Sequence, residues 1–280
     1  MDTRDRDIIA GYDGSPGSAE ALDWAVQEAR LRGTSLTVCH AWKPQPAAAA
    51  DDGVPDPARE QAERVLADGV RHARESAAPG TAVRPLLASG PAARALCEQS
   101  DGAGLMVVGS HGIGGLPGLL LGSVSLQVAA HARAPVTVVR GHWRRVPGQY
   151  PPPVVVGADG SPEAQAALEF AIAEAALRDV PLIAVCALAD SAAVVGIARN
   201  VETAFGAAVD KAEAGHPDVI VQRRVDPGAP RSALLTAASR GQLLVVGARG
   251  RGGLEAMLLG SVSLALLHHA ACPVTIVRRA

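Results

Sequence analysis

Two rhythms of apolar residues alternate along the chain. Short, nearly unbroken apolar runs occupy residues 8–12, 36–42, 82–87, 105–108 and 136–139, and again 154–158, 182–188, 219–225, 243–246 and 274–277. Between them, apolar positions return every three or four residues, as at Ala21, Leu22, Ala25, Val26 and Ala29. The first rhythm predicts strands and the second amphipathic helices. The helices fall at 17–32, 58–77, 92–100 and up to His131, then at 163–178, 194–214, 231–239 and up to His269. Strands that alternate with helices are joined by crossovers and pair in parallel. Leu105-Met106-Val107-Val108 and Leu243-Leu244-Val245-Val246 carry no polar face, as strands covered on both sides should. The predicted fold class is α/β, with parallel, doubly wound sheets. Ligands on such sheets bind beyond the carboxyl ends of the strands, where the strand order reverses. The loops after the first and fourth strands are therefore where function is to be sought.

The two sets of strands are copies of each other. Ile8-Ile9-Ala10-Gly11-Tyr12-Asp13-Gly14-Ser15-Pro16 matches Val154-Val155-Val156-Gly157-Ala158-Asp159-Gly160-Ser161-Pro162 at an offset of 146. Residues 120–140 match 258–278 at an offset of 138, with 14 of 21 positions identical. The chain thus reads as a tandem duplication, whose second copy is eight residues shorter between these matches. The Pro/Ala/Asp-rich stretch 43–57 is the expected site of the difference, as a surface loop. Domains are expected at 1–140 and 154–280, joined by a linker over 141–153 that its prolines make stiff. Ser15 and Ser161 are expected as helix N-caps, each followed by Pro at the first helical position.

After the fourth strand the first copy reads Gly109-Ser110-His111-Gly112, then nine residues, then Gly122-Ser123-Val124-Ser125. The second reads Gly247-Ala248-Arg249-Gly250, then nine residues, then Gly260-Ser261-Val262-Ser263. Glycines allow positive φ and close backbone approach. Each Gly-Ser pair opens a helix, where unpaired N–H groups and the helix dipole attract an anion. The hydroxyls of Ser123, Ser125, Ser261 and Ser263 add candidate donors to phosphate oxygens. The pattern lacks the lysine of a P-loop, and its glycines lie far from the first strand turn where a dinucleotide fingerprint would sit. A glycine-rich connection with no ligand is the competing explanation, and two copies at identical spacing weaken it.

These residues resemble the universal stress protein family in its ATP-binding branch. The family motif G-x2-G-x9-G-[ST] is met by Gly109, Gly112, Gly122 and Ser123, and again by Gly247, Gly250, Gly260 and Ser261. The Asp-Gly-Ser turn after the first strand, the strand Val38-Cys39-His40-Ala41-Trp42 and the Ala134-Pro135-Val136 approach to the last strand are similar too. The resemblance covers nearly the whole chain. It implies a five-stranded parallel sheet of flavodoxin or Rossmann type in each half, with ATP at the carboxyl ends of strands one and four. Gly11 and Asp13, and Gly157 and Asp159, would lie beside the nucleotide, the aspartates near ribose or adenine. Asx-turn capping is the competing role for Asp13. Ala41 and Ala187 would line the adenine slot. The phosphates would be held by Gly109, Gly112, Gly114, Gly115 and Gly122-Ser123-Val124-Ser125. In the second copy Gly247, Gly250, Arg251, Gly252, Gly253 and Gly260-Ser261-Val262-Ser263 would do the same. Family edges pair, so the halves are expected to pack with pseudo-twofold symmetry and whole chains to form homodimers.

Composition narrows the picture further. Aromatics are only 2% of 280 residues, so the core must be built from Ala, Val and Leu. A net charge of −2 supplies no basic field for nucleic acid. No apolar run approaches a membrane span, and the polar start at residues 1–7 lacks a signal core, so a soluble cytoplasmic protein is expected. Cys39, Cys97, Cys186 and Cys272 form no CxxC pair and are expected as buried reduced thiols. His131 and His269 are expected to interact with helix C-termini rather than with a metal. No Ser–His–Asp set with a nucleophile elbow and no HExxH motif is present.

The reading these features support is an ATP-binding regulatory or stress-response protein with one site per domain and no catalytic residues. ATP is the implied ligand, with room for Mg2+ on its phosphates. A slow Mg-dependent ATPase and a ligand-free dimerisation module are the alternatives. The copies differ chemically at one place: Arg249 and Arg251 stand where the first has His111 and Ile113. A permanent guanidinium charge favours phosphate over a neutral imidazole. The second half is therefore expected to bind ATP more tightly, which titration of each half separately will read; equal affinities would refute it.

Overall fold

The computed structural model describes residues 7–44, 56–113, 121–140, 143, 151–188, 195–251 and 257–279, without the side chains of 195–199. Two compact units are present, Met1–Val139 and Arg140–Ala280. Most of the 141–153 stretch and residues 45–55 lie outside the described residues.

The first unit runs β1 (Ile8–Gly11), α1 (Pro16–Arg32), β2 (Leu36–Trp42), α2 (Pro57–Ser76), β3 (Val83–Ser89), α3 (Ala92–Gln99), β4 (Leu105–Gly109), α4 (Ser123–His131) and β5 (Val136–Val139). A short 3-10 turn, Ser100–Gly102, follows α3 and was not expected. The second unit repeats the order as β6 (Val154–Gly157), α5 (Pro162–Arg178), β7 (Leu182–Leu188), α6 (Val195–Ala214), β8 (Val221–Pro227), α7 (Pro230–Ala238), β9 (Leu243–Gly247), α8 (Ser261–His269) and β10 (Val274–Val277). The strands of the first unit lie in the order β3-β2-β1-β4-β5, those of the second in the order β8-β7-β6-β9-β10. Within each unit the paired strands are parallel. The order reverses between β1 and β4, and between β6 and β9, so each unit has one switch point there.

Local chemistry explains the element boundaries. The Ser15 hydroxyl accepts the Ser18 N–H and the Ser161 hydroxyl that of Ala164, each with proline at the first helical position. His131 Nδ1 lies 2.8 Å from Gln127 O; a carbonyl only accepts, so Nδ1 donates and helps satisfy the last turn of α4. The central strands β4 and β9 are buried at every residue. Ile8, Leu22, Leu36, Leu105 and Met106 are among the fully buried residues of the first unit, and Leu168, Ile172, Leu182, Leu243 and Leu244 of the second. The third strands begin and end one or two residues later than their apolar pattern indicated. They lie at an outer position of their unit with mixed exposure, and β3 carries Pro85, a residue tolerated on such strands. Three cysteines are buried as expected, but Cys97 is only half-buried.

The ends of α1 and α5 offer a stability test. Both C-caps are left-handed, with Gly33 at φ 65° and Asp179 at φ 52°. A β-carbon in that conformation costs up to about 1–2 kcal/mol, less for aspartate, whereas glycine adopts it freely. Asp179→Gly is therefore expected to raise the stability of the second unit by about 0.5–1 kcal/mol. Urea unfolding at unchanged m-value will show this as a higher midpoint, and a lower one would contradict it.

Candidate functional site

A cavity opens at the switch point of each unit, about 370 Å3 in the first and about 290 Å3 in the second. In the first, Gly11 and Asp13 after β1, Ala41 late in β2, and Gly109 and Gly112 after β4 face the start of α4, Gly122 to Ser125. In the second, Gly157, Asp159, Ala187, Gly247, Gly250 and Arg251 face Gly260 to Ser263 in the same way. Gly114, Gly115, Gly252 and Gly253 lie outside the described residues. All the other candidate nucleotide-binding positions meet around these two cavities.

The aspartate after the first strand bridges two loops. Asp13 Oδ1 accepts the Ser15 N–H at 3.0 Å and Oδ2 accepts the Ile113 N–H at 3.0 Å. Asp159 repeats this with the N–H groups of Ser161 and Arg251, both at 2.9 Å. The Oδ1 bond is an Asx turn; the Oδ2 bond reaches across the cavity mouth to the glycine loop. Partial burial opposes the charge on Asp13, but hydrogen bonds from Ser15, Ile113 and Ser18 outweigh it and hold the carboxyl below its usual range.

Gly109, Gly112, Gly247 and Gly250 of the motif owe their identity to close packing around this junction. Among the described residues, the positive-φ glycines of the first unit are Gly14, Gly33, Gly80 and Gly90, and those of the second are Gly160 and Gly228. None belongs to the motif, so the expected role of positive φ is not what the described motif glycines serve. A β-carbon on Gly112 would lie 2.4 Å from Asp13 Oδ2, and one on Gly250 would lie 2.5 Å from Asp159 Oδ2. A β-carbon on Gly109 would lie 2.4 Å from Gly17 O, and one on Gly17 would lie 2.6 Å from His111 O. The loop after β4 thus rests directly on the first turn of α1, backbone against backbone.

The start of α4 is the part open to a ligand. Gly122 closes the loop by donating its N–H to Ser110 O at 2.7 Å, and Gly260 donates to Ala248 O at 2.8 Å. As N-caps, both lack a side chain to satisfy the first-turn amides. The uncapped N–H groups and the dipole make an anion-seeking end. Ser123 and Ser261 are exposed at the first helical position. Ser125 and Ser263 are buried, and their hydroxyls donate to Gly109 O at 2.6 Å and Gly247 O at 2.8 Å. Each hydroxyl's single proton is spent there, so these serines brace the glycine loop.

The opposite wall is apolar: Leu96 and Val108 in the first unit, Leu234 and Val246 in the second. These residues read from sequence as ordinary core, and only the helix–strand packing brings them to the cavity. Tyr12 was also missed. Its ring packs where Gly69 of α2 would carry a β-carbon, 2.5 Å from Cδ1, and its carbonyl accepts from His40 Nδ1 at 2.7 Å. Burial pushes the Cys39 thiol up to about 12, that of Cys186 to about 11 and that of Cys272 to about 12, so these thiols stay protonated at neutral pH. Arg249 Nη2 lies 3.1 Å from Glu163 Oε1, an ion pair the repeat did not announce because the first copy has Gly17 at that place. The Arg251 guanidinium lies over Gly160, where a β-carbon would be 2.5 Å from Nη2.

The model of the universal stress protein family matches residues 6–140 and again 152–278. The chain belongs to the universal stress protein family. A universal stress protein of Mycobacterium tuberculosis is 33% identical over 97% of both chains. One from Mycolicibacterium smegmatis is 35% identical over 97% of this chain and 96% of its own. The crystal structure of a universal stress protein from Archaeoglobus fulgidus matches with a TM-score of 0.73 over 99% of both chains at 21% identity, a likeness of fold. The chain is thus a tandem of two universal stress domains. Among the described residues no helix is long and apolar enough to cross a membrane.

The bridge made by Asp13 is testable by pH. Its carboxyl titrates below the ordinary value of 3.8 in the folded chain. The bridge therefore contributes fully above that pH and is lost as pH falls through the lower folded value. Amide exchange at Ile113, corrected for intrinsic rate, is expected to accelerate in that acid window. In Asp13→Asn, whose amide confronts one N–H with another donor, exchange should be fast at all pH values, at a cost of about 1–3 kcal/mol.

Proposed function

We propose that each universal stress domain binds one ATP, with its phosphates on the first turn of α4 or α8 and its base against the apolar wall. The observation that carries this reading is the uncapped helix start facing Asp13 and Ala41 across the switch-point cavity, and its repetition with Asp159 and Ala187. The N–H groups of residues 123–125 and 261–263 would hold phosphate oxygens, and Gly122 and Gly260 would let them approach. Gly109, Gly112, Gly247 and Gly250 keep the loop at the right height, while Ala41 and Ala187 leave room for adenine. Asp13 and Asp159 join the ligand's surroundings while tying the two loops.

Magnesium fits this site only on the phosphates. Both Asp13 oxygens already accept backbone N–H groups, and among the described residues no group of three or more His, Cys, Asp or Glu side chains is placed to hold a metal. The protein would act in the cytoplasm as a homodimeric regulator rather than as a catalyst. Its buried cavity serines and its aspartates are committed to backbone groups, which leaves them unsuited to activate a nucleophile. Bound nucleotide would fix the strand loop and the glycine loop together and shift the population competent for a downstream protein partner.

Ser123→Asp with Ser261→Asp tests the reading. A carboxylate at the first helical position favours the helix by about 0.3–1 kcal/mol but repels phosphate. The double variant should melt no lower than the parent, yet bind ATP at least about tenfold more weakly by calorimetric titration. Unchanged ATP binding would refute the assignment, as would absence of ATP binding by the parent.

A further inference from the structure

We infer that Glu163 is a specificity-determining residue of the second cavity, setting how strongly that site distinguishes a polyphosphate from a monophosphate by holding Arg249. The inference rests on the nucleotide reading above. Arg249 lines the cavity, and its α-carbon lies 3.5 Å from where a β-carbon on Gly260 would be, beside the proposed phosphate end. Its guanidinium is nevertheless turned to Glu163 on the first turn of α5, Nη2 to Oε1 at 3.1 Å. The pair is part-buried, with the carboxylate the more enclosed partner. A triphosphate approaching α8 therefore meets a neutralised pair where the sequence alone suggested a bare cation.

The first unit shows that the carboxylate is not required by the fold. Gly17 occupies the matching position in α1, and α1 has the same serine cap, the same Pro16 start and the same length as α5. There a side chain is excluded, because a β-carbon on Gly17 would lie 2.6 Å from His111 O. In the second unit the contact is arranged differently: a β-carbon on Gly247 would lie 2.9 Å from Glu163 Cβ and 3.0 Å from Arg249 O. Both partners of the ion pair are thus packed on the root of the glycine loop. The arginine and the glutamate occur together in one copy and are absent together from the other, which ties them to one purpose in the second cavity. Arg251, over Gly160, is left as the cation of that loop that is not opposed by Glu163.

The test is competition between charge states of one ligand. ATP, AMP and adenosine are titrated calorimetrically into the intact chain and into Glu163→Gln, whose amide cannot neutralise Arg249. One class of site, the first cavity, should be unchanged. At the other, ATP should bind roughly tenfold more tightly, the order expected when one charge near a polyphosphate is removed, while adenosine is unaffected and AMP changes less than ATP. Glu163→Asp, which keeps the charge, should retain the parent selectivity. Arg249→Met added to Glu163→Gln should abolish the gain. A purely structural role for Glu163 would shift the melting temperature and all three ligands alike, and that result would overturn the inference. So would equal ATP:AMP selectivity in parent and variant, with nucleotide still bound. Failure of every chain to bind ATP would overturn the nucleotide reading itself, and this inference with it.

Discussion

Each unit depends on one close approach: the glycine loop after the fourth strand lying on the first turn of the first helix. At Gly17 and Gly109 there is no room for a β-carbon between the two backbones. The aspartate after the first strand fastens the same junction from the side, with one oxygen on its own turn and the other on the glycine loop. The buried serine of α4 fastens it from beneath. Three elements distant in sequence are thereby fixed around one small volume, and the helix start is left as the open wall. Burial makes such a junction specific, because every polar group in it must find its partner.

Duplication shows which parts of this junction are fixed and which are adjustable. The aspartate bridge and the serine brace recur in both units with the same partners and nearly the same distances. The side walls have diverged in compensating sets. Tyr12 fits over Gly69 in the first unit, while Ala158 stands in the place of Tyr12 in the second. His111 over Gly17 is replaced by Arg249 paired with Glu163. The two cavities share an uncapped helix start and differ in volume and in the charged side chains around it. A tandem universal stress protein built this way carries two related but chemically distinct sites on one chain.

The apolar rhythm was enough to place every strand and the main helices, with β2, β5, β7 and β10 exact to the residue. Those strands are bounded by polar turns or proline. The third strands slipped, because their mixed exposure blurs the alternation that marks a boundary. The glycine-serine motif was legible as a helix start, since glycine followed by serine before an apolar run has few other uses. The purpose of Gly109 and Gly112 was not legible. A glycine that permits positive φ and a glycine that yields space to a carboxylate are written with the same letter.

The sequence by itself determined the tandem duplication, the α/β class, the position of the two loops and the family, because periodicity, repeat and motif spacing are one-dimensional properties. Only the tertiary structure decided what those loops do to each other. It turned Asp13 and Asp159 into bridges and Ser125 and Ser263 into braces. It also turned Arg249 from an expected phosphate cation into the partner of Glu163, a residue 86 positions away. Such pairings depend on which side chains the crossovers bring within hydrogen-bonding distance, and that is set by the packing of α1 and α5 on the central strands.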